Sequence, residues 1–467
     1  MIAAIASKEL RALLRDGRLW GLGLVLALLL VAVLASAAHQ HRTAEQQRTE
    51  VQSAARQQWD HQGERNPHRA AHFGMYAFKP QSALASVEPG IDAQTGQALW
   101  LEPHRRNMAL FAPAADAAPS IGLGDFHPAF VLLALVPLLI AVLGHGSVTH
   151  EREQGTLRML QACGMRGSAL VLGKWLGLCA GLALVLAPAL LAGGWVLSAR
   201  QALPEALLLV LALAMYYAVW AAVTVLVSSH CRSSRAALLV LLALWVGWVF
   251  IVPRLAASAV ESAAPLPTGE QFWSRIQQDI DQGLPGDGTA AERMQAFDRQ
   301  LLAQAGVARL QDLPFGVNAR RRLYRDAYAT RVYALHFGQL WQAQRAQQQW
   351  LRLATAVTPY AAMRAIGSAL AGTDLAHRQH FEDAAEQYRQ HYTTLMDEWD
   401  MNATQGMTSF ESRYAGNAQW QAMPEWRYTP PGTGFALRSS LADWGLLAGW
   451  LLLTLGAMGW SARRLNP

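Results

Sequence analysis

Charge is scarce in this chain: only 15% of its 467 residues are Asp, Glu, Lys or Arg, against roughly a quarter in an average soluble domain. The deficit is local. Apolar blocks nearly free of charge alternate with charge-dense stretches, as in membrane spans separated by water-exposed segments. Cysteine is scarce too, and on the topology argued below Cys163, Cys179 and Cys231 fall in the membrane or on its cytoplasmic side. The external segments are therefore expected to hold together without disulfides. A net charge of +6 comes without a basic run interleaved with stacking aromatics, so no nucleic-acid partner is expected. A Gly-x-x-x-x-Gly-Lys-Ser/Thr phosphate loop is missing, because Gly173-Lys174 is followed by Trp175 and has no upstream glycine at the needed spacing. No nucleophile, base and orienting group stand at a spacing that proposes hydrolysis, so the chain is expected not to be an enzyme by itself, with no catalytic residue and no cofactor of its own. Strand patterning is nearly absent, which points to an all-α fold.

Six segments are long and apolar enough to cross a hydrocarbon core of about 30 Å: Leu19 to Ala38, Phe130 to Val148, Trp175 to Leu197, Ala206 to Ser228, Ala236 to Val252, and Leu441 to Trp460. With their flanks, the third takes 169–198 and the fifth 236–255. Trp175 with Trp195, and Trp444 with Trp460, sit about a membrane thickness apart, as interfacial anchors do. Short basic flanks set the direction: Lys8, Arg11, Arg15 and Arg18; Arg152, Arg158 and Arg166; Arg232 and Arg235; Arg463 and Arg464. The positive-inside rule puts all of these, and both termini, in the cytoplasm of a bacterial inner-membrane protein. The first span has a rival reading as a signal peptide, since Ala35-Ser36-Ala37 resembles a cleavage site. The long charged segment ahead of it, with Glu9 and Asp16, favours an uncleaved anchor.

Residues 1–18 read as an amphipathic helix at the inner interface, with Ile2, Ile5, Ala6, Leu10, Leu13 and Leu14 on one side. Two periplasmic insertions follow from the topology. The first, 39–129, is Gln- and Arg-rich and helix-like to about Arg65, then loop-like with Pro67, Pro80, Pro89, Pro103, Pro113 and Pro119. The second, 256–440, predicts helices near 268–282, 290–305, 319–356 and 375–401. Ala354 to Ala371 is apolar enough to be either a re-entrant element or a buried core helix. A cytoplasmic tail, 461–467, completes the expected all-α polytopic architecture. Asp443, at the outer edge of the last span, is the only Asp or Glu within the spans, which disfavours a proton- or sodium-coupled carrier.

Between spans two and three, 149–168, runs His150-Glu151-Arg152-Glu153-Gln154-Gly155-Thr156-Leu157-Arg158-Met159-Leu160, with Gly173-Lys174 opening the third span. An acidic pair, Gly-Thr-Leu, a basic residue and a later Gly-Lys make this link resemble that of the membrane subunits of type V ABC exporters. Val252-Pro253-Arg254, Pro265-Leu266-Pro267 and Thr358-Pro359 resemble, more loosely, a subgroup with a large periplasmic domain between spans five and six. The resemblance implies that the link is a coupling helix docking into a separate ATPase. It casts Glu151, Arg152, Glu153, Gly155, Thr156, Leu157, Arg158 and Leu160 as coupling positions and Lys174 as the residue at the membrane entrance of span three. It also implies two ABC ATPase subunits carrying ATP and Mg, a second permease protomer, lipid contact, and a periplasmic partner. A proline often follows the helix in that family; here Gly164-Met165-Arg166-Gly167 stands instead. Two rival readings are a mechanical transducer that drives the external domain without passing a solute, and an anchored assembly protein with no ATPase.

Histidines gather on the outer side, among them His39, His41, His61, His68, His72, His377, His380 and His391. His377 and His380 lie one helical turn apart, ahead of Glu382 and Asp383, which is one pattern for a metal. Without a dense His/Cys cluster in the sequence, scattered surface histidines are the reading taken, and no metal site is expected.

Overall fold

The structure, a computed structural model, describes residues 1–108, 127–198, 202–403 and 415–465, with side chains excepted at 188–198 and 403. Pro113, Pro119 and the Trp195 side chain lie outside the described residues. Among these, six helices are long and apolar enough to cross a membrane: Gly17–Asp60, Pro128–Glu153, Gly167–Ala187, Leu203–His230, Ser234–Ala263 and Leu441–Arg463.

The first of them is also the longest. No Gly or Pro interrupts it after Gly23, so the helix continues out of its apolar half through the Gln- and Arg-rich stretch as far as Asp60. Its 44 residues make a rod about 66 Å long at 1.5 Å per residue, roughly twice the thickness of a bilayer core. The helix starts where Asp16 breaks the N-terminal helix Ile2–Arg15: Asp16 is extended, and its carboxylate caps the next helix by accepting from the Arg18 N–H at 3.0 Å.

Prolines 137 and 253 sit inside the second and fifth spans. Each removes an N–H, and each is preceded by a wide π-turn, Val131–Leu135 and Gly247–Ile251. The carbonyls left short of donors are served from other helices. Tyr217 donates to Leu132 O at 3.0 Å, Tyr216 to Leu133 O at 2.8 Å and the Trp245 indole to Ala134 O at 2.8 Å. Thr358 likewise donates to Trp248 O at 3.3 Å while capping the helix Pro359–Leu370 through the Tyr360 N–H. Val252-Pro253 and Thr358-Pro359 are thus two halves of one junction. That helix buries Met363, Ile366 and Leu370 in the same apolar cluster as Leu132 and Tyr216 of the spans, so within the Ala354 to Ala371 stretch Pro359–Leu370 is a buried helix packed on the apolar helices.

The N-terminal helix is seated on protein. Gly173, Gly177 and Gly181 form a stripe on the third span against which Ile5, Glu9 and Leu13 pack; a Cβ at Gly173 would meet the Ile5 Cβ at 2.6 Å. Small residues at four-residue spacing admit a second helix at close range.

The two insertions, separate on the sequence, share one core. Trp59 and the strands Met75–Phe78 and Ala98–Leu101 from the first pack with Phe381, Tyr392, Met396, Trp420 and Trp426 from the second. The strands pair antiparallel, Met75 opposite Leu101 and Phe78 opposite Ala98, where the sequence pattern predicts loop. Met-Tyr-Ala-Phe and Ala-Leu-Trp-Leu are apolar throughout and give no alternating signal, and their pairing is settled by packing with Phe381, Tyr392 and Met396 of Leu375–Ala403. Helices Gly269–Gln282, Ala290–Ala305 and Val317–Ala354 complete the domain, in positions where helix is predicted.

Candidate functional site

The link folds as two short helices, Thr149–Glu153 and Thr156–Ala162, rather than the single coupling helix that the resemblance implies. Gly155 makes the break, at φ 71° and ψ 0°, a left-handed conformation that costs other residues roughly 1–2 kcal/mol. The exit turn is a Schellman cap: the Met165 N–H donates to Leu160 O and the Gly164 N–H to Gln161 O, with Gly164 at φ 78°. Glycine here ends the helix where the resembled family often places proline.

The charged residues point inward and sideways. Glu151, 8% exposed, accepts from Lys8 at 3.1 Å, Lys174 at 3.0 Å and the Thr156 hydroxyl at 2.5 Å. Lys174 also pairs with Glu9 at 2.7 Å. Glu151, Thr156 and Lys174 therefore belong to one internal cluster that ties the link to the N-terminal helix and to span three. Lys8 and Glu9 complete it, and pattern reading missed their role because the partners are more than 140 residues away. Arg152 donates to Ser229 O at 2.9 Å and Cys231 O at 2.5 Å, covering the C-terminal carbonyls of Leu203–His230. Glu153 accepts from the Ser234 N–H at 2.7 Å and its hydroxyl at 2.8 Å, at the N-terminus of the fifth-span helix. Thr149 reaches the Ser234 hydroxyl at 2.9 Å. One short helix thereby clasps the turn joining spans four and five.

Leu157 is fully buried with Ile5, Ala169 and Leu170, and Leu160 lies against them. Exposed on the link are, among others, Glu153, Gln154, Gly155, Arg158, Met159, Ala162 and Cys163. Met159 is 65% exposed; an apolar side chain held out on a rigid support, beside a guanidinium, suits a partner groove. Of the sequence-derived positions, Glu153 and Arg158 are both charged and exposed; Glu153 is committed to Ser234, whereas Arg158 points away from the bundle.

The Gly155 conformation carries a measurable expectation. A Cβ at Gly155 would meet nothing within 4 Å, so Gly155→Ala is expected to cost only the backbone term, about 1 kcal/mol. Gly155→Asn, which tolerates the left-handed region, is expected to cost less. Thermal unfolding of the two variants side by side checks the order.

At the other end of the bundle, Asp443 is bound in a two-pronged pair by Arg352 of Val317–Ala354, at 2.8 and 2.9 Å. It joins the last apolar helix to the insertion domain. The four residues His377, His380, Glu382 and Asp383, weighed for a metal, do not converge. His377 bonds Asp374 at 2.5 Å, His380 the Tyr428 hydroxyl at 3.0 Å, Glu382 is held by Arg378, and Asp383 by Arg106 at 3.1 Å.

Residues 269–429 match a protein-family model described as Domain of unknown function (DUF3526). The match covers about a third of the chain and falls in the second insertion; the six apolar helices and the link lie outside it. No curated protein matches the chain. The matched domain and the six apolar helices together fit a membrane protein.

Proposed function

We propose that this chain is the permease subunit of an ATP-driven ABC exporter in a bacterial inner membrane, with the link and both termini in the cytoplasm and the shared insertion domain in the periplasm. Two ABC ATPase subunits bind at the inner face and supply ATP and Mg, and a second permease protomer, identical or paralogous, completes the membrane path. The observation that carries this reading is the two-sidedness of the link. Its outer face, Arg158 and Met159, stands free in solvent, while its inner face is fastened to span three through Glu151–Lys174 and to the turn between spans four and five through Arg152 and Glu153. A push on Met159 is thus delivered to three spans at once. The basic flanks orient that face toward the cytoplasm.

The test separates docking from folding. Met159→Asp and Arg158→Glu change only exposed atoms and are expected to leave thermal unfolding within about 0.5 kcal/mol of the parent. Co-purification of the co-expressed cognate ABC ATPase is expected to fall at least tenfold in the double variant. Undiminished co-purification would remove the docking assignment.

A second reading, the mechanical transducer, has its own support. The first-span helix runs unbroken from the link end to Trp59 in the external core, and Arg352–Asp443 couples that domain to span six. Rigid connections of this kind deliver motion outward as readily as they would open a solute path. ATP-dependent uptake of a lipid, peptide or amphiphile into inverted vesicles favours export; ATP-dependent change in the external domain without any uptake favours transduction.

A further inference from the structure

Three histidines from distant parts of the first insertion meet on the external domain. The candidate ligand atoms of His68, His72 and His104 all lie within 4.8 Å of one another. His68 and His72 stand at i and i+4 on the helical turn Pro67–Ala71 and its C-cap, a turn started by an Asn66 cap, so both rings project to one side. Their Nε2 atoms are 3.2 Å apart. Two nitrogens bound to one tetrahedral ion at about 2.0–2.1 Å are separated by about 3.3–3.4 Å, so this pair already has the spacing of a bidentate edge. The His104 ring lies 5.2 and 5.4 Å, centroid to centroid, from the other two.

The outer shell is also present. His68 Nδ1 lies 3.2 Å from a carboxylate oxygen of Asp397, and His104 Nδ1 lies 2.7 Å from one of Asp326. A carboxylate on Nδ1 keeps the proton there and leaves the Nε2 lone pair for a cation, the orientation that metal-binding histidines use. Asp397 is fixed in turn by Arg322 at 2.9 Å. His104 is the only described residue other than glycine with a positive φ, 63°. A turn of this kind costs roughly 1–2 kcal/mol, and it is braced by the Tyr333 hydroxyl donating to the His104 carbonyl at 2.9 Å. A hydrogen bond between the His68 and His72 rings accounts for one pair; it does not account for the third ring, its carboxylate or its backbone.

We propose that His68, His72 and His104 form a binding site for a divalent transition cation of the zinc class, with Asp397 and Asp326 as positioning residues. Neutral imidazoles select zinc, copper or nickel over magnesium and calcium, which require oxygen ligands. His72 is exposed while His68 is buried, so the fourth position faces solvent, the arrangement of a site that exchanges or presents its ion rather than one sealed for structure. The site lies on the external domain and stands whether or not the chain is an exporter.

Binding is measured on the full-length protein with cobalt(II) and zinc(II) as probes. One equivalent of cobalt is expected to give a tetrahedral-type visible spectrum that zinc abolishes, and magnesium is expected to do neither. His104→Asn retains a residue tolerant of the left-handed backbone, and it is expected to weaken zinc binding at least 100-fold without changing unfolding in chelator. Asp326→Asn is expected to weaken it 10- to 100-fold, and His380→Ala to leave it unchanged. Should the parent chain bind no cobalt or zinc, or His104→Asn bind zinc as tightly as the parent, the site does not exist.

Discussion

Lys174→Ala is expected to destabilise the inner end of the protein by about 3–5 kcal/mol, the loss typical of removing one partner from a buried charge cluster. The Lys174 side chain is 6% exposed and lies 2.7 Å from Glu9 and 3.0 Å from Glu151. Without it two largely buried carboxylates face one another, and the remaining cation, Lys8, is mostly in solvent. The strain falls where the N-terminal helix meets the link. The variant is therefore expected to release Ile2–Arg15 from the glycine stripe and expose it to protease before the spans unfold. Neutralising the whole cluster, Lys174→Met with Glu9→Gln and Glu151→Gln, is expected to recover most of the loss, because it is the unpaired charge rather than the missing attraction that destabilises. Denaturant titration in detergent, with N-terminal proteolysis in parallel, measures both; a loss below about 1 kcal/mol would mean that the carboxylates reach water.

Arg322→Ala is expected to damage the insertion domain by a similar amount, about 3–5 kcal/mol, while sparing the bundle. Its guanidinium is almost wholly buried and binds Asp397 at 2.9 Å and also Asp400. Those two carboxylates are reached from the first insertion as well, by His68 at 3.2 Å and the Asn66 amide at 2.6 Å, so one arginine organises the seam between the insertions. Lysine is not expected to substitute, since a single ammonium cannot span both acids as a planar fork does. The pH dependence gives the prediction a sign. Burial pushes the Asp397 carboxyl up, but the His68 hydrogen bond and the Arg322 charge together hold it below its ordinary value. Its contribution is then present above the unfolded pKa of about 3.9 and is lost as pH falls through the lower folded value. In Arg322→Ala the buried acid loses that counter-charge and prefers its proton, so acidification toward pH 4 relieves the variant while the parent's Asp397 contribution is still intact. The stability gap between them is expected to narrow between pH 7 and pH 4, followed by domain unfolding at each pH. A gap that widens on acidification would contradict the assignment.

Much of this protein was legible before any tertiary contact was known. The six apolar helices follow from unbroken apolar length, and the helices of the insertion domain follow from periodicity and caps: Ala290–Ala305 begins with Thr289 and Glu292 exchanging bonds at its N-terminus. The 44-residue first helix follows from the lack of any breaker between Leu24 and Asp60. Gly155 was legible as a place for a bend or a close approach, but not as the end of one helix and the start of another. The link's charges were legible as important but not as inward-facing. Glu151 and Arg158 look alike on the sequence, seven residues apart; one is buried against Lys174 and the other stands in solvent.

What the sequence by itself determined is everything that depends on neighbours along the chain: which stretches are helical, which are apolar enough to span, and where the helices start and stop. Tertiary structure alone decided which distant groups meet, as with Glu9, Glu151 and Lys174 at one end, the two insertions closing on one core at the other, and His104 joining the His68–His72 turn. The physical reason is range. Helix formation and hydrophobic length are settled within a few turns of backbone, whereas a charge or an imidazole acquires its role from a partner brought within about 3 Å by packing, and packing is a property of the whole chain.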